Sequence, residues 1–295
     1  MGGLKRILDR FDRFQLSHGW LAFPFAVVKK YGDDRGGYLS ALIAYFGFLS
    51  LFPLLLLMVT LLGIALSGNP SLRASIEESA LGQFPIIGSQ LSHNVNAIRG
   101  SALTLAIGLI GALWGGLGVT QAIENAFDEV WGIPRPRRSN FVRARVRGVL
   151  MMFALGTFVV GSTVLSSVGT SLAVRGWVAR SLSVAGTLAL SVGLYLVSFR
   201  VLTARDLRWR EVFPGSVVGG AAWTALQVVG GYVVQHQIRG ATQLYGFFGI
   251  VLGLLFWIYL AAQTTVYAAE VNVVLNQRLW PRSLSDPPSP GPATS

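Results

Sequence analysis

Apolar positions along this chain fall in long unbroken runs rather than in the short periodic stripes of a soluble helix or strand. Six long stretches carry no charged side chain: residues 39–66, 101–123, 148–174, 181–199, 212–235 and 241–269. Crossing a hydrocarbon core takes about 20 helical residues, with a usable range of roughly 17–25. All six are long enough, and a soluble core could not enclose so many. Allowing helix to continue through Arg200 and Glu270, the spans lie at about 39–66, 101–123, 148–174, 181–203, 212–235 and 244–274. The expected fold class is therefore all-α, a polytopic membrane protein with six transmembrane helices. Only 13% of the residues are charged, which agrees with that class.

Charge adds an orientation. The 24 Lys and Arg residues alternate between rich and poor segments, and grouping alternate segments puts 19 on one side and five on the other. The positive-inside rule places the rich side, with both termini, in the cytoplasm. The net charge of +11 then needs no nucleic acid as partner. Anionic inner-leaflet lipids suffice, at about 1 kcal/mol per basic residue near the surface. There are no cysteines, so disulfides and thiolate chemistry are absent. No cleavable signal peptide is visible, and insertion is expected to use the first span as an uncleaved anchor.

Three regions follow. Residues 1–37 form a cytoplasmic interfacial segment, 38–280 the six-helix domain and 281–295 a tail. In the first, Leu4, Ile7, Leu8, Phe11 and Phe14 recur at helical spacing among charged residues, the pattern of an amphipathic helix on the membrane surface. A second apolar stretch, 20–28, is too short to span, carries Pro24, and leads into a turn-prone segment over 31–37. The loop 67–100 is the only sizeable external one, with a helix start at Asn69-Pro70. Five prolines from Pro281 onward predict a disordered tail. The two halves of the domain show no convincing internal repeat.

Polar residues inside the spans are the candidate chemistry. In the last span Tyr259, Gln263, Tyr267 and Glu270 share one helical face, followed by Asn272 and Asn276. In the second, Trp114, Gln121, Asn125 and Asp128 share another, with Glu124 to one side. An ionisable residue at this depth is a functional candidate whose partner must be found. Two readings of Glu270 stay open: an ion pair with a loop arginine that locks the last helix, or direct contact with a substrate or proton. Arg200 and the Arg143, Arg145, Arg147 series are the available counter-charges; spaced by two, that series cannot all face one partner. Gly111/Gly115, Gly215/Gly219 and Gly249/Gly253 each stand one turn apart and predict close helix packing. Pro53 and Pro214 predict local bends.

Enzyme machinery is thin. His18, His93 and His236 lie in separate flanking regions without ligand spacing, so neither metal nor other cofactor is expected. The glycine-rich 111–118 stretch sits inside an apolar span and is no phosphate loop.

Three stretches together resemble the YihY / virulence factor BrkB family of bacterial inner-membrane proteins. They are Ala44-Tyr-Phe-Gly-Phe-Leu-Ser-Leu-Phe-Pro53, Arg208-Trp-Arg-Glu-Val-Phe-Pro-Gly-Ser216, and a last span reading Tyr245-Gly246, Gly249, Trp257-Ile-Tyr259 and Ala269-Glu-Val-Asn272. The resemblance covers roughly residues 35–280 and extends to the YhjD-like branch. It implies six spans with cytoplasmic termini and a place in the cell envelope, with transport, of lipid among other cargoes, as the suspected activity. The family's old label, ribonuclease BN, finds no metal cluster or acid/base pair here to support it. The reading that follows is an envelope membrane protein that moves a lipid or other amphiphile or solute. Glu270, Gln263, Tyr267, Asn125, Gln121 and Arg200 are its contact residues, and anionic lipids its partners. The alternative is a non-transporting scaffold for envelope integrity.

Overall fold

In a computed structural model of the chain, residues 19–65, 102–171, 177–233 and 239–281 are described. The expected surface helix over 4–14, the loop 67–100, the three histidines and nearly all of the tail lie outside these segments. The described residues form seven α-helices: α1 (Gly19–Asp33), α2 (Gly36–Ala65), α3 (Ala102–Val130), α4 (Phe141–Ser171), α5 (Trp177–Leu202), α6 (Trp209–Val233) and α7 (Arg239–Asn276). A single 3-10 turn, Arg135–Arg137, precedes α4. No strand occurs among them. Helices α2 to α7 each contain a stretch long and apolar enough to cross a membrane.

Large apolar side chains on these stretches point outward, among them Ile110, Phe153, Val160 and Phe256. Such a surface suits lipid and would aggregate in water. The helices also outreach the hydrocarbon. α4 has 31 residues, about 46 Å at 1.5 Å per residue, against roughly 30 Å of core. Its first two turns, carrying Arg143, Arg145 and Arg147, therefore project into the headgroup layer, so helix begins before the charge-free run does.

α2 and α3 pack most closely, because α3 presents glycine. A Cβ at Gly111, Gly115 or Gly118 would stand 2.7, 2.6 and 2.7 Å from Pro53, Ser50 and Phe46. The order is reversed along α2, as antiparallel neighbours require. The shared core continues through Phe127, Trp131, Phe199 and Val266, which are essentially inaccessible.

α1 runs unbroken through Pro24 to Asp33, so the turn expected over 31–37 narrows to Asp34 and Arg35, with Arg35 at φ 55°. Its Ala26 and Val27 pack on Val271 and Val274 near the end of α7.

Substituting Gly115 with Ile should force α2 and α3 apart and lower the melting temperature in detergent by several degrees, at a cost of about 1–3 kcal/mol. Gly156, with open space around it, is the control. There Ala should be neutral or stabilising by up to about 1 kcal/mol, and equal losses at both positions would refute the packing role.

Candidate functional site

Among the described residues the buried charged groups gather at one end of the bundle, where α1, the C-terminal ends of α3, α5 and α7, and the N-terminal ends of α4 and α6 meet. This is also the basic end. Three clusters can be built up from the helices that carry them.

The first is centred on Lys30 of α1, only 4% exposed. Its Nζ donates to the carbonyl of Val130, the last residue of α3, at 2.9 Å. It also pairs with Asp34 one turn on and lies 3.2 Å from Glu270 Oε2 of α7. Glu270 is fully buried, and its Oε1 has no hydrogen-bond partner. One turn earlier Tyr267 stacks on Tyr31, with ring centroids 4.0 Å apart and planes 10° from parallel. The Tyr31 hydroxyl meets Ser40 Oγ of α2 at 3.2 Å. Burial pushes the Asp34 carboxyl above its ordinary 3.8, and Lys30 only partly offsets this. The partner of Glu270 is thus a lysine of α1, not the loop arginine expected. The reason is that α1 folds back beneath α7 instead of lying apart from it.

The second cluster joins α6 to α7. Gly215 N–H donates to Asn272 Oδ1 at 2.7 Å, and Asn276 Nδ2 donates to the Glu211 carbonyl at 2.7 Å. Glu211 and Gly215 are the i and i+4 members of one helical turn, beside Pro214, which has no N–H to give. Two asparagines one turn apart therefore bind one turn of the neighbouring helix. Only glycine fits at 215, since a Cβ would collide with the Ala268 carbonyl and the Asn272 side chain.

The third cluster ties α3 to α4 and to the end of α5. Asp128 Oδ1 accepts from Ala204 N at 2.8 Å. Arg147 lies 3.6 Å from Glu124 and donates to Ser139 Oγ and the Thr203 carbonyl at 2.7 and 3.2 Å. Of the spaced arginines only Arg147 turns inward. Arg145 lies over Phe141, 4.9 Å from the ring centre, and Arg143 is exposed.

The remaining expected contact residues fall elsewhere. Gln121 and Asn125 are exposed on α3. They line a cleft of about 360 Å³ with Leu42, Phe46, Trp114, Gly118, Ala122 and Arg145. Gln263, Tyr267 and Glu270 do not line it, so the two polar stripes are not joined there. Gln263 is half-buried. Arg200 meets neither stripe: it is exposed and stacks 4.3 Å above the Trp209 ring, because its neighbour Phe199 takes the inward face of α5. The residues that sequence reasoning missed are Lys30 and Asp34, whereas Arg145 and Arg147 were expected as counter-charges and not as contact residues. The i,i+4 spacing of Lys30 and Asp34 at the end of an apolar stretch was the available signal for the first two. Among the described residues no three His, Asp or Glu side chains gather as a metal site.

The chain matches the model of the virulence factor BrkB family over residues 27–291, and it belongs to that family of membrane proteins. Similar proteins include the ribonuclease-like protein YfkH of Bacillus subtilis (strain 168). It is 26% identical over 272 residues, 88% of this chain and 96% of the relative. The inner membrane protein YhjD of Escherichia coli (strain K12) is 23% identical over 84% of this chain and 79% of its own. The UPF0761 membrane protein AZOSEA40600 of Aromatoleum aromaticum (strain DSM 19018 / LMG 30748 / EbN1) is 25% identical over 60% and 44%. No solved structure matches.

Two outcomes follow. Asn272→Ala leaves the Gly215 N–H buried and unpaired and should cost about 1–3 kcal/mol, seen as a lower melting temperature. Asn276→Ala, at an exposed position, should cost less than half as much. For Asp34 the folded carboxyl binds its proton more tightly than the unfolded one. Its contribution to stability is thus complete below pH 3.8 and is lost as pH rises through the folded value. Melting curves against pH should show that decline in the wild type and a flatter profile in Asp34→Asn; identical profiles would contradict it.

Proposed function

We propose that the protein is a bacterial inner-membrane protein of the cell envelope that binds and moves an amphiphile, with an anionic lipid as the substrate class. The observation that carries this reading is the cleft between α2, α3 and α4. Its polar groups, Gln121, Asn125 and Arg145, lie toward the basic end, while Trp114, Leu42 and Phe46 offer an apolar wall. Asn125 sits five residues before the end of α3, about 8 Å along the helix, so the polar groups reach headgroup depth. Trp114, 66% exposed, lies farther in, where the face meets acyl chains. A charged head with an apolar tail matches that gradient, and a small hydrophilic solute would match half of it.

In this reading Arg145 supplies the cation, Gln121 and Asn125 bind headgroup oxygens, and Trp114 and Phe46 hold the chain. Glu270 and Tyr267 act on the substrate only indirectly, by fixing α7 against α1, and Arg200 with Trp209 anchors α5 at the interface. The 19-to-5 distribution of Lys and Arg favours cytoplasmic termini and an inner-leaflet position for the cleft. A non-enzymatic role is favoured by the burial of the acidic groups within the spans: Glu124, Asp128 and Glu270 serve helix contacts and are not open to water as acid/base groups.

Native mass spectrometry of the gently purified protein tests the reading. Wild type should retain an anionic phospholipid. Arg145→Ala combined with Asn125→Leu should weaken retention by about tenfold or more, as expected for losing a charged hydrogen bond of roughly 1.5–3 kcal/mol. Movement of a labelled anionic lipid between liposome leaflets should fall in parallel. Retention indifferent to both substitutions would sink the cleft and turn the choice toward a scaffold.

A further inference from the structure

The Lys30 cluster carries a feature that the lipid reading does not use. One ammonium faces two carboxylates, Asp34 and Glu270. Lys30 is the cation that both carboxylates touch. Neighbouring elements add further acids and hydroxyls. α3 brings Glu129, already held by Arg138 at 2.7 Å. α1 adds a further carboxylate, Asp33, whose charge Asp34 feels. α2 brings only the Ser40 hydroxyl, and α7 the phenol of Tyr267. With every acid ionised the trio would hold a net negative charge where Glu270 has no access to water. Burying an uncompensated charge is costly, and a carboxyl in that position neutralises instead.

The second observation is Glu270 Oε1, fully buried and without a hydrogen-bond partner. An ionised carboxylate with one orphaned oxygen and half a share in an ammonium is poorly compensated. We propose that the junction of α1 with α7 is a proton-binding site, in which the carboxyl pair Asp34–Glu270 holds one proton beside the Lys30 side chain. The Lys30 ammonium already touches both carboxylates. The missing positive charge is therefore added on oxygen, as a proton, rather than as an alkali cation with its own shell of ligands. Loss of that proton leaves two anions on one ammonium and weakens the hold of α1 on α7, so proton occupancy and the docking of α1 are linked. The site is remote from the cleft and does not depend on the lipid reading.

Infrared spectroscopy of the full-length protein in lipid nanodiscs tests this directly. A protonated carboxyl has a carbonyl stretch that a carboxylate lacks, and it shifts in heavy water. Wild type should show the band at neutral pH, where ordinary carboxylates are ionised, and lose it in alkaline buffer. Glu270→Gln and Asp34→Asn each leave one carboxylate per ammonium, so either should lose at least half of the band. Lys30→Met leaves two carboxyls and no ammonium, and should enlarge it. A band absent at every pH, undiminished in both single variants, or abolished by sodium but not by choline would overturn the proposal. Should the variants fail to fold, the wild-type titration in sodium and in choline decides alone.

Discussion

Lys30 Nζ joins three elements: its own α1, the last carbonyl of α3 and the buried carboxylate of α7. The underlying constraint is that hydrocarbon offers no water to an unpaired polar group, so the partners must come from the protein. This fold meets the constraint by moving its ionic chemistry to one end, where helix termini already expose carbonyls and amides. Asp128 takes the free amide of Ala204, and Arg147 the carbonyl of Thr203. The acidic side chains of α3 and α7 thus act as ties between helix ends, and α1 closes the end by bringing in the cation.

Much of the bundle could be read from composition, because long charge-free runs allow few alternatives. That α3 packs closely on a neighbour was legible too: Gly111 and Gly115 stand one turn apart, and a bare face of that kind has little use besides close approach; that the neighbour is α2 was not. The resemblance to the family rested on three stretches far apart in sequence, and two of them touch. Pro214-Gly215 and Glu270-Val-Asn272 meet where Asn272 caps the Gly215 amide. Those residue types are dictated by the joint itself. A side chain at 215 would strike the backbone of α7, and an apolar residue at 272 would leave a buried N–H unpaired.

The ion pairs were less legible, for a physical reason. Which arginine or lysine reaches a buried acid depends on how helices rotate and how far a chain folds back, and neither leaves a local mark. Lys30 was counted among the charges that set orientation, although its burial shows it serving the interior as well. Arg200 stands at the inner end of its span, yet Phe199 occupies the inward direction and turns the guanidinium onto Trp209. On α3 the face drawn through Trp114, Gln121, Asn125 and Asp128 is real in angle but not uniform in environment. Its last member is buried by α5 while the others stay open, because the bundle tightens toward that end.

That tightening constrains the lipid reading proposed above. A path for a water-soluble solute would need polar groups in sequence along the bundle axis. Here the axis is filled by Phe127, Phe199 and Val266, and the accessible polar residues stand on the flank of α3, beside surfaces that meet lipid. In the proposed reading a cargo enters there from within the bilayer, bringing its own apolar part, and need be desolvated only at its head. The cost of moving such a molecule is concentrated at one polar group, next to an arginine that already lies at headgroup depth. Glu270, the one acid of α7, is in that reading not a conduit but a tie that holds α7 to α1, away from the cleft.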